Sequence, residues 1–413
     1  MDAARAYARA LVWARAREHR EHREHSGAAT VQRVTAARHV AVDARALWVS
    51  GIGRYTREVT ARLIRRDTFA DVTLFGDPET LRPWLSDEGL AGAARIVPLA
   101  GGVYSLRSQL GWRAAARTRA PGTVTWFPHW DIPVAVGLGP AVVTIHDLIH
   151  LHVPESASPA KRFVANRMIR LAAHRGAVVT VDSAYTRDDL LRLAPDVEAK
   201  VRVVGGGVAA AFHPGVAART GVVPEGARYL LVMGNRKPHK NLAAAVRVLA
   251  RLRGDDAAWR LVVAGTMSPH WAGVLELART LGVHEAIVDV GQVPDAELAS
   301  LYAGAACLLF PSRYEGFGLP VAEAMACGTP VVAANAASVP EVAGGAAELC
   351  APDDVDAMTA AVLRVTHDAG VRRARIDAGR AAAARFTWDA AAQALADALR
   401  DSANEWAPRD SNP

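Results

Sequence analysis

The 413-residue chain is 51% hydrophobic and 22% charged, enough apolar material for sizeable cores and a length that suggests two ordinary domains. A formal charge of +6 and a pI near 9.5 suit an anionic small molecule, a membrane surface or nucleic acid equally, so charge alone selects no partner. No run reaches about 18 uncharged apolar residues, and no apolar segment near the start ends in a cleavage site, which argues against a spanning helix and a secretory signal and leads us to expect a cytoplasmic protein.

In chain order, residues 1–37 stand apart. They are rich in alanine and arginine, then repeat Glu-His-Arg, and are expected to form a basic, disordered or helical extension. His19, His22 and His25 sit three apart, a weak basis for a metal site. From His39 onward short valine-rich runs alternate with helical, arginine-bearing stretches. "HVAVDA", "DVTLF", "ARIVPL", "TVTWFP", "AVVTIHDL", "AVVTVDS" and "VRVVGGG" read as strands of a first half. "YLLVMGN", "RLVVAG", "AIVDVGQV", "CLLFPS", "PVVAA" and "AELCAP" read as strands of a second. Little polar alternation within such runs means strands covered on both faces, hence parallel sheets in two doubly wound α/β domains. The expected division is 38–213 and 224–385, with a glycine- and proline-rich seam at 205–226 and a last helix at 386–403. Ligands of such folds lie beyond the carboxyl ends of the strands, so the loops there carry the search.

The first such loop, "WVSGIGRYTREV", follows the first strand, and its Gly51-Ile52-Gly53 would let backbone approach a ligand, with Tyr55 beginning a helix. Next, His146 and Asp147 end the strand of "VVTIHDLIHLHVPE", where a histidine can face a cleft. His146, His150 and His152 on one loop give poor support for a metal. In the second half, "MGNRKPHKN" places Arg236, Lys237 and Lys240 between a strand end and a helix that starts near Asn241, a cation cluster suited to a diphosphate. No Gly-x-x-x-x-Gly-Lys-Ser/Thr run exists, which disfavours a P-loop nucleotidase.

The most informative loop is "RYEGFGLPVAEAMACG". Pro320 suits the first turn of a helix and Gly328 its C-terminal cap, so Gly316 and Gly318 precede a helix N-terminus favourable to anions. Glu315 and Glu323 bracket that turn, and carboxylates accept hydrogen bonds from sugar hydroxyls. Two acceptors around an anion-friendly turn describe a site for a phosphorylated sugar. Asp354 and Asp356 in "PDDVDAM" read as a helix start rather than a metal motif. Cys307, Cys327 and Cys350 lie in apolar runs without metal-like spacing, as buried free thiols do.

Together, in this order and over two α/β halves, these stretches resemble the retaining GT-B glycosyltransferases of glycosyltransferase family 4, in particular bacterial mannosyltransferase-like members. Glu315 and Glu323 look like the family's Glu-x7-Glu motif, "GNRKPHKN" like its diphosphate loop, and "GIGRY" and "HDL" like its N-terminal signatures. The resemblance runs from about His39 to "RFTWDAAAQALADAL", similar to a closing helix that crosses back to the first domain.

The resemblance implies two Rossmann-like domains facing across a cleft, an acceptor-side N-terminal domain and a nucleotide-sugar-binding C-terminal one. It implies that Glu323 binds ribose hydroxyls. Glu315, with the backbone of Gly316, Phe317, Gly318 and Leu319, would hold the donor sugar. Arg236 and Lys240 would neutralise the diphosphate, Gly51 and Gly53 would close over it, His146 would face the reacting carbon, and Val293 would touch the base. His146, Arg236, Lys240 and Glu315 are thereby the expected catalytic set. The implied reaction moves a hexose, with configuration retained, from a nucleotide-diphosphate sugar to a polysaccharide, glycolipid or other glycoside. No cofactor or metal is required. GDP-mannose is the first donor expected, and UDP-sugars stay open.

A GT-B-like epimerase or phosphorylase, and a non-catalytic sugar-nucleotide-binding protein, are the alternatives. Nucleic-acid binding is disfavoured because the arginines spread over many helices without interleaved aromatics. The basic helices and the N-terminal extension motivate a hypothesis of peripheral attachment to the inner face of the cell membrane.

Overall fold

A computed structural model describes residues 39–66 and 68–406; the histidines at 19, 22 and 25 and the rest of the N-terminal extension lie outside the described residues. Two parallel sheets organise the chain. The first contains β1 (His39–Asp43), β2 (Asp71–Gly76), β3 (Arg95–Pro98), β4 (Val124–Phe127), β5 (Ala141–Ile145), β6 (Val178–Val181) and β7 (Val201–Val203), in the order β3-β2-β1-β4-β5-β6-β7. The second contains β8 (Arg228–Met233), β9 (Trp259–Ala264), β10 (Ile287–Gly291), β11 (Cys307–Phe310), β12 (Val331–Ala334) and β13 (Glu348–Cys350), in the order β10-β9-β8-β11-β12-β13. The fold is thus α/β with two doubly wound, Rossmann-like sheets, and the valine runs fall where the sequence places them.

Alternate residues of each strand feed opposite cores. Val40 and Val42 of β1 pack with Leu74, Trp126 and Val142 on one face of the first sheet, and Ala41 with Phe75, Phe127 and Val143 on the other. The second sheet repeats the plan, with Leu231 and Leu308 on one face and Leu230 and Leu309 on the other. Cys307, Cys327 and Cys350 are buried free thiols, and burial pushes the first two up to about 12.

The chain crosses between the sheets twice, side by side. Val208 donates to the Phe386 carbonyl at 3.0 Å where the outgoing and returning segments pair. A Cβ on Gly207 would lie 2.3 Å from the Trp388 nitrogen, so only glycine lets the two strands pass. The returning helix, Trp388–Trp406, buries Trp388, Leu395 and Leu399 in the core of the first sheet beside Tyr55 and Val59. Truncating Trp388 to alanine would cost about 3–5 kcal/mol on the usual scale of buried aromatics. Asp354 caps the helix Val355–His367 by accepting from the Ala357 N–H at 2.8 Å. Among the described residues no helix is long and apolar enough to cross a membrane.

Strand order reverses between β1 and β4 in one sheet and between β8 and β11 in the other. Loops leaving such neighbouring strands diverge and open a crevice. The four loops concerned are the Gly51 loop after β1, 128–132 after β4, the Lys240 loop after β8 and the Glu315 loop after β11.

Candidate active site

These loops line one cleft of about 560 Å³ between the sheets, together with His146 and Asp182 at the ends of β5 and β6. The Glu315 loop is its centre. Pro320 occupies the first turn of the helix Leu319–Cys327, and Gly328 ends it at φ 78°. Gly318 precedes the helix at φ 104°, a left-handed conformation that aims the following N–H groups outward. The N–H groups of Phe317, Gly318 and Leu319 have no acceptor among the hydrogen bonds of the described residues. They make a ready anion cradle at a helix N-terminus. The loop is held from below by Ser338, whose hydroxyl reaches the carbonyls of Glu315 at 3.0 Å and Phe317 at 2.7 Å.

Lys240 stands on the turn Pro238–Lys240 after β8, and its Nζ lies 2.6 Å from Glu315 Oε1 and 5.1 Å from the Phe310 ring centre. Gly234 makes room for it: a Cβ there would come within 2.8 Å of Lys240 Cε. His239 next to it is kept neutral, its pKa lowered to about 3 by burial and by the charges of Lys240 and Lys237. Glu323 is 2% exposed and receives the Tyr302 hydroxyl at 3.1 Å and the Arg54 guanidinium. Burial raises its carboxyl above the usual range, and Arg54 opposes that rise. Gly51 and Val293 also line the cleft.

Two expected contacts are corrected. Arg236 is 1% exposed and turns away from the cleft to pair with Asp289 in the middle of β10, its guanidinium 4.7 Å from the Trp271 ring centre. The chain bends at Gly234, φ 136°, and the Arg236 N–H is fixed to the Thr266 carbonyl, so the neighbouring Lys237 and not Arg236 faces the cleft. Gly53 is buried inside the helix Ser50–Arg65. A Cβ there would meet the Leu47 carbonyl oxygen at 2.4 Å, so its smallness serves the turn beneath it rather than a ligand.

His146 faces the cleft with both ring nitrogens engaged: Nε2 donates to the Pro128 carbonyl at 3.0 Å and Nδ1 to Asp182 Oδ2 at 2.6 Å. Burial opposes the imidazolium, but Asp182 and the carbonyl outweigh it and raise the pKa. A histidine donating twice has no lone pair for a proton, so His146 presents positive charge and its ring edge.

Several residues that matter here carry no local signal. Arg54 reaches across the cleft to Glu323 and Asp295. Tyr314 donates to Asp189 Oδ2 at 2.7 Å and accepts from the Leu148 N–H at 3.1 Å, while Ser183 and Thr186 bind the Gly316 carbonyl at 2.6 and 3.0 Å. A Cβ on Gly316 would sit 2.1 Å from the His146 carbonyl oxygen, so this glycine is what lets the loop touch the opposite half. Asp182 Oδ1, Tyr55 Oη and Asn235 Oδ1 are buried at the cleft without a hydrogen-bond partner among the described residues. Among the described residues no group of three histidine, cysteine or carboxylate side chains is assembled to hold a metal.

Comparison with known proteins agrees with this architecture. Residues 49–212 match the model of Glycosyltransferase Family 4, and residues 218–382 that of Glycosyl transferases group 1. The chain is similar to O-antigen chain mannosyltransferase B of Escherichia coli, 27% identical over 379 residues that cover 83% of this chain and 93% of the relative. It is 33% identical to a D-inositol 3-phosphate glycosyltransferase of Kineococcus radiotolerans over 334 residues, 75% of this chain and 72% of the relative. The fold is shared with sucrose-phosphate synthase of Thermosynechococcus elongatus, with TM-score 0.71, 20% identity and coverage of 87% and 98%. It is shared equally with Anabaena HepE in complex with UDP and glucose, with TM-score 0.70, 16% identity and coverage of 87% and 99%. With both halves matched to family models and a cleft built from their facing loops, the chain belongs to glycosyltransferase family 4 and is a hexosyl-transferring enzyme of GT-B fold.

Proposed function

We propose that this glycosyltransferase moves a hexose, with mannose first among the candidates, from a nucleotide-diphosphate sugar to a glycan or glycolipid with retained configuration and without a metal. The observation that carries the reading is the Lys240–Glu315 pair set beside the open N–H groups of Phe317, Gly318 and Leu319, with Glu323 one helical turn further on. In this reading Glu323 takes the ribose hydroxyls in place of Arg54. Glu315 and the loop backbone hold the donor sugar, and Val293 and Gly51 border the nucleotide. Lys240, joined by Lys237, receives the departing diphosphate.

Breaking the glycosyl–phosphate bond puts positive charge on the sugar and negative charge on the leaving group, so fixed cations there stabilise the transition state more than the ground state. His146, as an imidazolium whose two N–H groups are held by Asp182 and the Pro128 carbonyl, offers the sugar and phosphate its positive charge and abstracts no proton. Attack of the acceptor hydroxyl from the face of the departing diphosphate preserves configuration and passes the hydroxyl proton to the leaving phosphate oxygen, and Glu315, already bound to Lys240, is no covalent nucleophile, in contrast to a retaining glycosidase. The E. coli relative's name supports mannose and a glycan chain as acceptor, and the UDP in the HepE structures supports a nucleoside diphosphate.

Thermal shift against GDP-, UDP-, ADP- and dTDP-sugars, without and then with added divalent metal, tests the donor half. A selective rise without metal is expected. A rise that needs metal would overturn the metal-free reading, and equal shifts for all would overturn base selection. The anomeric configuration of the product, read by NMR, tests retention.

A membrane-associated acceptor is favoured by one face of the first domain. From residue 89 to residue 130 the chain has five arginines and no acid. The helix Leu106–Arg117 in that stretch exposes Leu106 and Leu110 beside Arg107 and Arg113. Such a face suits an anionic lipid surface.

A further inference from the structure

The N-terminal wall of the cleft carries a cluster of rings that the donor reading does not use. Tyr104 lies 5.0 Å from Trp130 and 5.3 Å from His129, and Trp130 lies 6.0 Å from His150, ring centre to ring centre. All four line the cleft. Trp130 and His129 are buried, whereas Tyr104 is 49% exposed and forms the outer surface of the cluster.

Tyr104 is held there against its own preference. Its φ is +62°, a left-handed conformation unfavourable to a bulky side chain, and such strain persists only where the surroundings impose it. The restraint is a buried ion network. Asp131 Oδ2 accepts from the Tyr104 N–H at 2.7 Å and from Arg45 Nη1 at 3.1 Å, while Arg45 is also paired with Asp43. The ring is oriented as well. The Asp131 N–H donates to His129 Nδ1 at 3.0 Å, so Nδ1 is unprotonated and the proton sits on Nε2, which faces Tyr104 Oη at 3.0 Å. Burial, with the charges of His146 and Arg45, pushes the His129 pKa well below its ordinary value and keeps this tautomer neutral. The His129 N–H therefore donates to the phenol oxygen, and the phenol's own hydrogen is left to donate into the cleft.

Cations on the same wall are occupied. Arg54 is paired with Glu323 and Asp295 and keeps Asp295 when a ribose takes Glu323, Arg57 donates to the Leu47 carbonyl at 2.6 Å and lies over Trp48, and His146 is held by Asp182 and the Pro128 carbonyl. Burial, together with Lys237 and Lys161, lowers the pKa of His150.

Resting on the transferase reading, the geometry points to Tyr104 as the acceptor platform, and to a neutral glycoside rather than a phosphorylated polyol as the acceptor. The Tyr104 ring would stack on the apolar face of the acceptor sugar while its hydroxyl donates to a sugar oxygen. Aromatic faces suit the C–H surface of a pyranose, and a wall whose cations are already engaged offers a phosphate monoester little.

The test is equilibrium titration of the nucleotide-saturated protein, followed by fluorescence, with p-nitrophenyl glycosides of α- and β-mannose, glucose and galactose and with inositol 3-phosphate. At least one neutral glycoside is expected to bind more tightly than inositol 3-phosphate. Tyr104→Gly relieves the backbone strain and deletes the ring; it is expected to melt no lower than the wild type yet to weaken glycoside binding about tenfold or more. Tyr104→Phe keeps the ring and is expected to lose about three- to tenfold through the missing hydrogen bond. Donor-induced thermal shift, unchanged in both variants, separates failure of this proposal from failure of the donor site. Absence of binding by every glycoside, preference for inositol 3-phosphate, or wild-type affinity in Tyr104→Gly would each overturn it.

Discussion

Arg54 on the N-terminal wall and Glu323 on the opposite wall are ion-paired across the cleft, and the same guanidinium reaches Asp295. Glu323 is 2% exposed, so its charge depends on that partner and on the Tyr302 hydroxyl. Removing Arg54 leaves a buried carboxylate without a counter-ion, while Glu323→Gln removes the charge itself. Arg54→Ala is therefore expected to cost about 1–3 kcal/mol of stability, below the usual loss for a fully buried pair because Arg54 keeps some solvent contact. Glu323→Gln should unfold within about 1 kcal/mol of wild type yet lose about tenfold or more in nucleotide-sugar affinity. Urea unfolding and calorimetric titration with UDP and GDP measure both. A tenfold loss of affinity in Arg54→Gln would show that Arg54 holds the donor rather than stands in for its ribose.

Arg236 and Lys237 are neighbours with opposite fates, one buried against Asp289 and the other facing the cleft. Arg236→Met should lower stability by about 1–3 kcal/mol with little change in donor affinity once folded. Lys237→Ala should leave the melting temperature within about a degree or two and raise the donor dissociation constant several-fold. The reverse pattern would restore Arg236 to the diphosphate site.

That contrast marks what the sequence could and could not reveal. Strand runs such as Val142-Val143 were legible because both faces of each sheet are buried, and composition alone reports that. Lys240, Glu315, Glu323 and the Gly318 turn were legible because one loop or one helix turn joins them to a motif. The direction of the Arg236 side chain was not, since it is decided by Asp289, 53 residues away. Asp182 ends a strand as many aspartates do, and its value comes from His146, 36 residues earlier. The Arg54 partnership spans 269 residues and exists only once the two halves face each other. Tyr104 fell in a stretch with no readable motif, and its positive φ is set by Asp131.

Lys240 and Glu315, 2.6 Å apart and both largely buried, are the pair on which the proposed donor chemistry turns. Lys240→Met keeps the side-chain volume and removes the charge that would meet the diphosphate. A fall in kcat of about a hundredfold or more is expected, the scale of losing one preorganised electrostatic contact. Glu315→Gln keeps an acceptor for a sugar hydroxyl and leaves Lys240 free for the phosphate, so its loss should be smaller and should lie more in KM. Equal kcat losses in the two variants would mean that the pair acts as one unit.

Leu106 and Leu110 lie on the solvent face of a helix flanked by arginines and no acid. Replacing both with aspartate should abolish sedimentation with phosphatidylglycerol vesicles while leaving activity on a soluble acceptor near wild type, because neither side chain enters the cleft. Binding that is equal for phosphatidylcholine vesicles, or undiminished in the double variant, would remove the electrostatic membrane reading.

His146 and Asp182 give a pH signature whose sign follows from the geometry. Burial opposes the imidazolium, yet the 2.6 Å contact with Asp182 and the bond to the Pro128 carbonyl raise the pKa above the ordinary 6.5. A raised histidine pKa stabilises the fold fully below the unfolded value, and that contribution is lost as pH rises through the folded value. Stability should therefore decline from about pH 6.5 upward in the wild type. In Asp182→Asn burial acts with less opposition, the pKa drops, and this part of the decline disappears. Chemical denaturation at pH 6, 7 and 8 measures the slope, and the ring nitrogen shifts of His146 by NMR locate the proton. A wild-type midpoint at or below 6.5, or an unchanged slope in Asp182→Asn, would mean that the ring is neutral and would remove the positive charge assigned to His146.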